Sequence, residues 1–206
     1  MNLSISTEGA PMVFSSDVVI GDFGVSFDTT ANGNPAGADI TFNGRLDSQT
    51  GMMSGVGELN PLTLLAGTGG DISFNGAVGE ASATSGMGDL TVGSGNDVTL
   101  VYDRNLGNLS VTNAGIVTFV AGTVSLTGVT ADGAGGSTPT TRGLDPSGAG
   151  NGIVVNGSVG VDTRAASAAG LNIDLTGAPI TGGGNTLDLN AGSGGRLRWR
   201  RLMTPH

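Results

Sequence analysis

The chain has 206 residues, 39 of them Gly, with 4% aromatic, 12% charged and 37% hydrophobic residues and no Cys. It is long enough for one continuous core and too apolar for a solvated coil, and without Cys it has neither disulfides nor thiolate metal sites. All eight basic residues are Arg, and four of them lie at 196–201; the other four and all 17 acidic residues fall in 1–195, a net −13 that argues against nucleic acid or an anionic membrane as partner.

In chain order, short apolar-polar alternations recur between turn-forming residues. The start, MNLSISTEGAP, lacks the basic and apolar regions of a signal peptide. An exported protein would then carry its signal elsewhere, and the chain is expected to be part of something longer. The first strand is expected at LSISTEG from Leu3. Then come ITFNG from Ile40, LTLLAG from Leu62, ISFNG from Ile72, LTVG from Leu90 and VTLVYD from Val98. LSVTNAG from Leu109, VTFVAG from Val117, VSLTG from Val124, IVVNG from Ile153, LNIDLTG from Leu171 and LDLNAG from Leu187 complete the series. Each alternates with the period of two that marks a strand, and the residues between are Gly, Asn, Asp, Ser and Thr. Only AASAAGL at 165–171 reads as helix-like, and it is too short to stand alone. No apolar run reaches 18 residues, so no membrane-spanning helix is expected.

The segments fall into two kinds, one opening on Leu and the other on Ile or Val. The offset between them is eight to ten residues (Leu62 to Ile72, Leu90 to Val98, Leu109 to Val117). LTLLAGTGGDISF (62–74) and LDLNAGSGGRLRW (187–199) align over their whole length, which puts Trp199 where Phe74 falls. A short strand with one apolar face is buried by stacking on its copies. The fold class expected is therefore all-β, a parallel β-helix (solenoid) of short strands and Gly, Asn and Asp turns over 1–199. The stretch 131–152 is expected as a loop or a repeat break, and 200–206 as an irregular tail. Coils of about 20 to 30 residues predict roughly seven to ten turns. Phe42, Phe74 and Phe119 are expected in one column and Leu62, Leu90 and Leu109 in another. Asn43, Asn75 and Asn156 are expected at corners, in left-handed conformations or hydrogen-bonded between coils. The Asn-Gly pairs also suit an antiparallel β-sandwich built from hairpins, which is the alternative fold.

GGDISFNGAVG (69–79), LTVGSGNDVTL (90–100) and LSVTNAGIVTF (109–119) resemble the degenerate repeats of filamentous-haemagglutinin-like and autotransporter passenger proteins. The resemblance covers most of 1–199, is weakest at 131–152 and is absent after Arg200. It implies a right-handed β-helix, a secreted or outer-membrane-associated location and a role as adhesin or rigid stalk. The partner implied is a host or neighbouring-cell surface or a polysaccharide. No functional residue carries over from it.

Catalytic, cofactor-binding and metal residues are accordingly expected to be none, and no cofactor is expected. The single His is His206, and with no Cys a nucleophile-base pair has no obvious members. Asp97, Asp103 and Arg104, and likewise Asp17, Asp22 and Asp28, are close in sequence and would serve a polysaccharide-acting β-helix enzyme. The reading preferred is that these Asp side chains cap turns. GTGGD (67–71) and GSGND (93–97) echo calcium-binding nonapeptides but are not tandem, so stacked half-sites are not expected. Thr41, Thr91, Thr99 and Thr118 are expected to face outward, with Ser73 and Ser110 interrupting a Thr ladder of the kind that orders ice.

Overall fold

A computed structural model describes residues 3–21, 24–48, 60–79, 87–126, 129–131, 137–139, 143–164, 169–176 and 179–199. The first strands are β1 (Leu3–Ser6), β2 (Met12–Phe14), β3 (Val18–Ile20), β4 (Val25–Asp28), β5 (Ile40–Phe42) and β6 (Leu46–Ser48). Next come β7 (Leu62–Leu65), β8 (Ile72–Phe74), β9 (Leu90–Ser94), β10 (Asp97–Leu100), β11 (Arg104–Leu106) and β12 (Leu109–Val111). Then follow β13 (Ala114–Phe119), β14 (Gly122–Leu126), β15 (Val129–Ala131), β16 (Ser137–Pro139), β17 (Leu144–Asp145) and β18 (Ala149–Val155). The last are β19 (Val159–Asp162), β20 (Ile173–Leu175), β21 (Ile180–Thr181), β22 (Leu187–Asn190) and β23 (Leu197–Trp199). The described residues contain no α-helix, only one 3₁₀ turn at Ala31–Gly33. Most of the helix-like stretch at 165–171 lies outside them, as does the tail 200–206.

The strands form stacked parallel sheets. The first sheet has the order β1-β4-β7-β9-β12-β17-β20-β23, and the second β2-β5-β8-β10-β13-β18-β21. A third runs β11-β14-β19-β22, and the β3-β6 pair joins it through Val78, which bridges Leu46 on one side and Arg104 on the other. The chain visits the three sheets in the same order each time, so each tier holds one strand from each. Every named strand pair is parallel except β15 with β16. The antiparallel sandwich is therefore not the arrangement formed, because the Asn-Gly steps turn the chain into the next sheet rather than back along its neighbour.

Parallel pairing keeps like residues in line, and three apolar faces meet to form the core. In the first sheet Val25, Leu62, Leu90, Leu109, Leu144 and Ile173 form one inward column, which includes the three Leu expected together. In the second sheet Ile40, Ile72, Val98, Val117 and Ile153 form another. Beside it runs Phe14, Phe42, Phe74, Leu100, Phe119 and Val155. Phe14 and Phe42 stack at 4.8 Å and Phe42 and Phe74 at 5.2 Å, the ring planes nearly parallel in both pairs. Phe119 shares the column but stands apart from the rings, because Leu100 intervenes. Burying each Leu, Ile or Phe contributes about 1.5–3 kcal/mol, and the column repeats that gain tier after tier.

The spacing between successive first-sheet partners varies from 19 residues (Leu90 to Leu109) to 37 (Val25 to Leu62). The corners absorb that variation while strand register is kept. The stretch 131–152 divides: β15 and β16 form a small antiparallel pair off the stack, and the stack resumes with β17 at Leu144.

The aligned segments 62–74 and 187–199 occupy different corners. LTLL is β7 of the first sheet and leads into the second, whereas LDLN is β22 of the third and leads into the first. Trp199 consequently pairs with Leu175 and does not join the Phe column. What the two segments share is the corner itself. Gly67 and Gly192 both have positive φ (78° and 69°); Gly67 sits tightly against the preceding corner at Ala36–Gly37, and Gly170 of the corner before sits as tightly against Ala191–Gly192. A side chain on Gly67 would place its Cβ 2.4 Å from the Ala36 carbonyl oxygen. The alignment therefore reports the needs of a tight corner and not a position in the repeat.

Candidate functional site

The acidic residues read as candidates lie at the corners, and most hold the next tier in place. Before the second sheet, Asp39 Oδ1 accepts from the Asp71 backbone N–H at 2.9 Å. Asp71 Oδ1 in turn accepts from the Asp97 N–H at 3.2 Å and from Asn96 Nδ2 at 2.8 Å. Asp97 Oδ1 accepts from the Ile116 N–H at 3.0 Å. Before the third sheet, Asp17 accepts from the Arg45 N–H at 2.8 Å and Asp103 from the Thr123 N–H at 2.7 Å. Each carboxylate thus satisfies a backbone donor one tier away, at the point where a strand begins. The capping expected of these residues is present, with the next tier's backbone as its usual target. Asp28 alone of this group caps its own turn, accepting from the Thr30 N–H at 2.7 Å and its hydroxyl at 2.6 Å.

This geometry separates the groups that sequence proximity had joined. Asp97 begins β10 and Asp103 follows its far end, so the two serve different corners. Asp17 and Asp28 likewise serve different corners, and Asp22 lies outside the described residues, as does His206. Conversely, GTGGD and GSGND are neighbours: Asp71 lies directly beneath Asp97, in the register that pairs Ile72 with Val98. The two motifs, 26 residues apart in sequence, meet because the chain passes the third sheet at Val78 and the first sheet at β9 before it returns to the same corner. Even so, no three His, Cys, Asp or Glu among the described residues gather where they would hold a metal ion.

Asn75 Nδ2 donates to Asn43 Oδ1 at 3.0 Å, the bond between tiers expected there. Asn156 is not stacked on them, because Val101 and Val120 follow the intervening strands β10 and β13. Nor are these three Asn left-handed; among the described residues other than Gly, only Asn32 has positive φ.

Ahead of Asp47, Arg104 is the most deeply buried charged side chain among the described residues. It occupies the inward slot between Val78 and Val124 in the third sheet and is only 2% exposed. Its guanidinium donates to the Ala121 carbonyl at 2.8 Å and to the Leu100 carbonyl, and lies 5.8 Å from the Phe119 ring centre. Nε has no partner. Burial pulls the group down to about 10, against the opposing pull of the Asp103 charge. Among the described residues no carboxylate pairs with it directly, and its N–H groups go to two corner carbonyls. Sequence reading set Arg104 beside Asp103 as surface chemistry; strand alternation sends the two to opposite sides. Among the described residues the shortest ion pair is Arg164 with Asp162 at 2.7 Å, and its hydrogen bond lowers the Asp162 carboxyl below its usual range.

The outward faces carry hydroxyls in line. Thr41, Ser73, Thr99 and Thr118 form one column on the second sheet. Ser4, Ser26, Thr63, Thr91 and Ser110 form another on the first. Ser73 and Ser110 keep the hydroxyl in place where they interrupt the Thr. Thr91 belongs to the other face from Thr41, Thr99 and Thr118. Comparison with known proteins finds no matching family model, no matching curated protein and no matching solved structure.

Proposed function

We propose that this chain is a segment of a right-handed parallel β-solenoid, of filamentous-haemagglutinin-like type, serving a secreted or cell-surface repeat protein as a structural or adhesive element without catalysis. The observation that carries the reading is the core: three faces of inward columns filled from tier to tier, with the corner carboxylates committed to backbone donors. Crossovers between parallel strands of one sheet are right-handed in about 98% of cases, which favours that hand. The outward hydroxyl columns repeat every ~4.8 Å and suit weak, repeated contacts with a polysaccharide or a cell surface.

The test is a pair of assays on one immobilised neutral polysaccharide: retention of the protein, and release of reducing ends. Retention without release is expected. Release that disappears in Asp97→Asn or Asp103→Asn would replace this reading with a polysaccharide-cleaving one.

A calcium-stabilised module is the second reading, and the stacking of GTGGD on GSGND is what favours it. A far-UV circular dichroism melt with and without millimolar Ca²⁺ separates the two. The structural reading expects a cooperative β-type melt unmoved by Ca²⁺; a rise of many degrees would assign the Asp71 and Asp97 corners to the ion.

A further inference from the structure

An Asn followed by Gly can lose its side-chain ammonia without any enzyme. The Gly nitrogen bonds to the Asn Cγ, the Cγ–Nδ2 bond breaks and ammonia leaves. Water then opens the resulting succinimide at either carbonyl, giving aspartate or isoaspartate. Gly favours the step because no side chain obstructs its nitrogen. Attack requires the Asn Cα–C bond to rotate, so backbone freedom decides which Asn-Gly pair reacts. The chain has five such pairs, at Asn32, Asn43, Asn75, Asn151 and Asn156.

The stack clamps four of them. The backbone N–H groups of Asn43, Asn75 and Asn156 donate to the carbonyls of Phe14, Phe42 and Phe119 in the preceding tier. The glycines that follow, Gly44, Gly76 and Gly157, lie tightly against the backbone of that tier at Ser16–Asp17, Gly44–Arg45 and Val120. Asn151 and Gly152 lie within β18, between β13 and β21, and Gly152 packs against Pro179.

Asn32–Gly33 is held differently. Both residues are exposed in the 3₁₀ turn, and a Cβ on Gly33 would meet nothing. The bond that closes the turn, from the Asn34 N–H to the Ala31 carbonyl, is long at 3.4 Å. This openness is not an effect of position at an end of the stack. The loop has tiers on both sides: the Gly9 N–H donates to the Thr29 carbonyl, and the Thr68 N–H to the Pro35 carbonyl. Asn32 also makes a contact that the reaction would reverse. Its Nδ2 donates to Glu8 Oε2 at 3.3 Å, beside the bridge between Glu8 and Thr30. Deamidation removes that donor and sets a carboxylate against a carboxylate.

We propose that Asn32 is a site of spontaneous deamidation in the folded chain, and that the carboxylate formed there repels Glu8 and loosens the corner joining the β1 tier to the β4 tier. The site does not depend on what the side faces bind.

The test is incubation of the folded chain at neutral pH, with peptide mapping by fragmentation and labelling of isoaspartate by an isoaspartyl methyltransferase. Asn32 is expected to convert at least about tenfold faster than any of the other four pairs, because tier-to-tier bonds suppress their opening. In denaturant the five should converge. Asn32→Gln is expected to abolish the fast methyl labelling. Asn32→Asp carries the charge without the rearrangement, and should speed hydrogen exchange at the Gly9 amide by about twofold while leaving β10 and β13 unchanged. Three outcomes would overturn the proposal: Asn32 converting no faster than the clamped pairs, the five differing as much in denaturant as in the folded chain, or Gly9 exchange unmoved by Asn32→Asp.

Discussion

Arg104 shows how much one side chain decides. It stands where Val78 and Val124 stand in adjacent tiers, yet its charge is tolerated because two corner carbonyls receive its N–H groups. Arg104→Ala removes the buried stem, takes a donor from the Ala121 carbonyl and leaves the Leu100 carbonyl with the Val120 N–H alone, so a loss of about 3–5 kcal/mol is expected in chemical denaturation. Arg104→Met keeps the volume and should cost less. The charge itself opposes folding, because burial holds the group near 10, well below the ordinary guanidinium value. Between those values the unfolded chain binds more protons than the folded one, so stability attributable to this group rises with pH. Below about 10 the cost of the charge is present in full. The parent should therefore gain on Arg104→Met as denaturation is moved from pH 9 to about pH 11; a constant gap would show that the charge is not desolvated. Glycine gives a second contrast at the same scale. Gly67 and Gly33 both have φ near 80°, but a Cβ on Gly67 collides with the Ala36 carbonyl while one on Gly33 meets nothing. Gly33→Ala should cost about 1 kcal/mol, the conformational cost alone, and Gly67→Ala clearly more, read as the difference in denaturation midpoints.

At the scale of the element, the corner carboxylates act as a ladder. Asp71 receives two donors and Asp39 one, and these bonds fix where each second-sheet strand begins. Asp71→Ala should therefore destabilise by about 1–3 kcal/mol and Asp39→Ala by about half as much, measured in urea. Asn in place of Asp71 keeps an acceptor and should restore most of the loss. Most first- and second-sheet strands were legible in the sequence because both kinds carry a hydrophobic signature at a nearly fixed offset. Of the third-sheet strands only β14 and β22 were read, as VSLTG and LDLNAG, and neither was set apart as a third kind. The inward column of the third sheet reads Val18, Leu46, Val78, Arg104, Val124, Val161, Leu189, with one position reduced to a single bridging residue, and no shared pattern marks it. The same gap explains why the stacking of Asp71 on Asp97 was missed: without the third strand, the path back to the corner cannot be counted. The inward turn of Arg104 depends on where β11 starts, and RNL alone does not set that.

For the whole molecule, each tier touches only the tiers on either side, so stability is a sum of like terms and not the property of one centre. Composition already told that a core must be built from Val, Ile, Leu and a few Phe with little else. The sequence also showed that these recur in phase. The number of tiers was legible only as a range, since the corner lengths vary and β15–β16 leaves the stack without ending it. Stability should not be even along this stack. Central strands such as β10 and β13 have neighbours on both sides and inward residues almost wholly buried. β1 is exposed along its whole length and β23 likewise, each with a neighbour on one side only. Hydrogen exchange should therefore be slowest in β9 to β13, where opening requires separating tiers on both sides, and fastest in β1 and β23, where a single row of bonds is lost. Uniform protection from end to end would show instead that the stack opens as one cooperative unit, with interfaces between tiers strong enough to hold even the exposed strands.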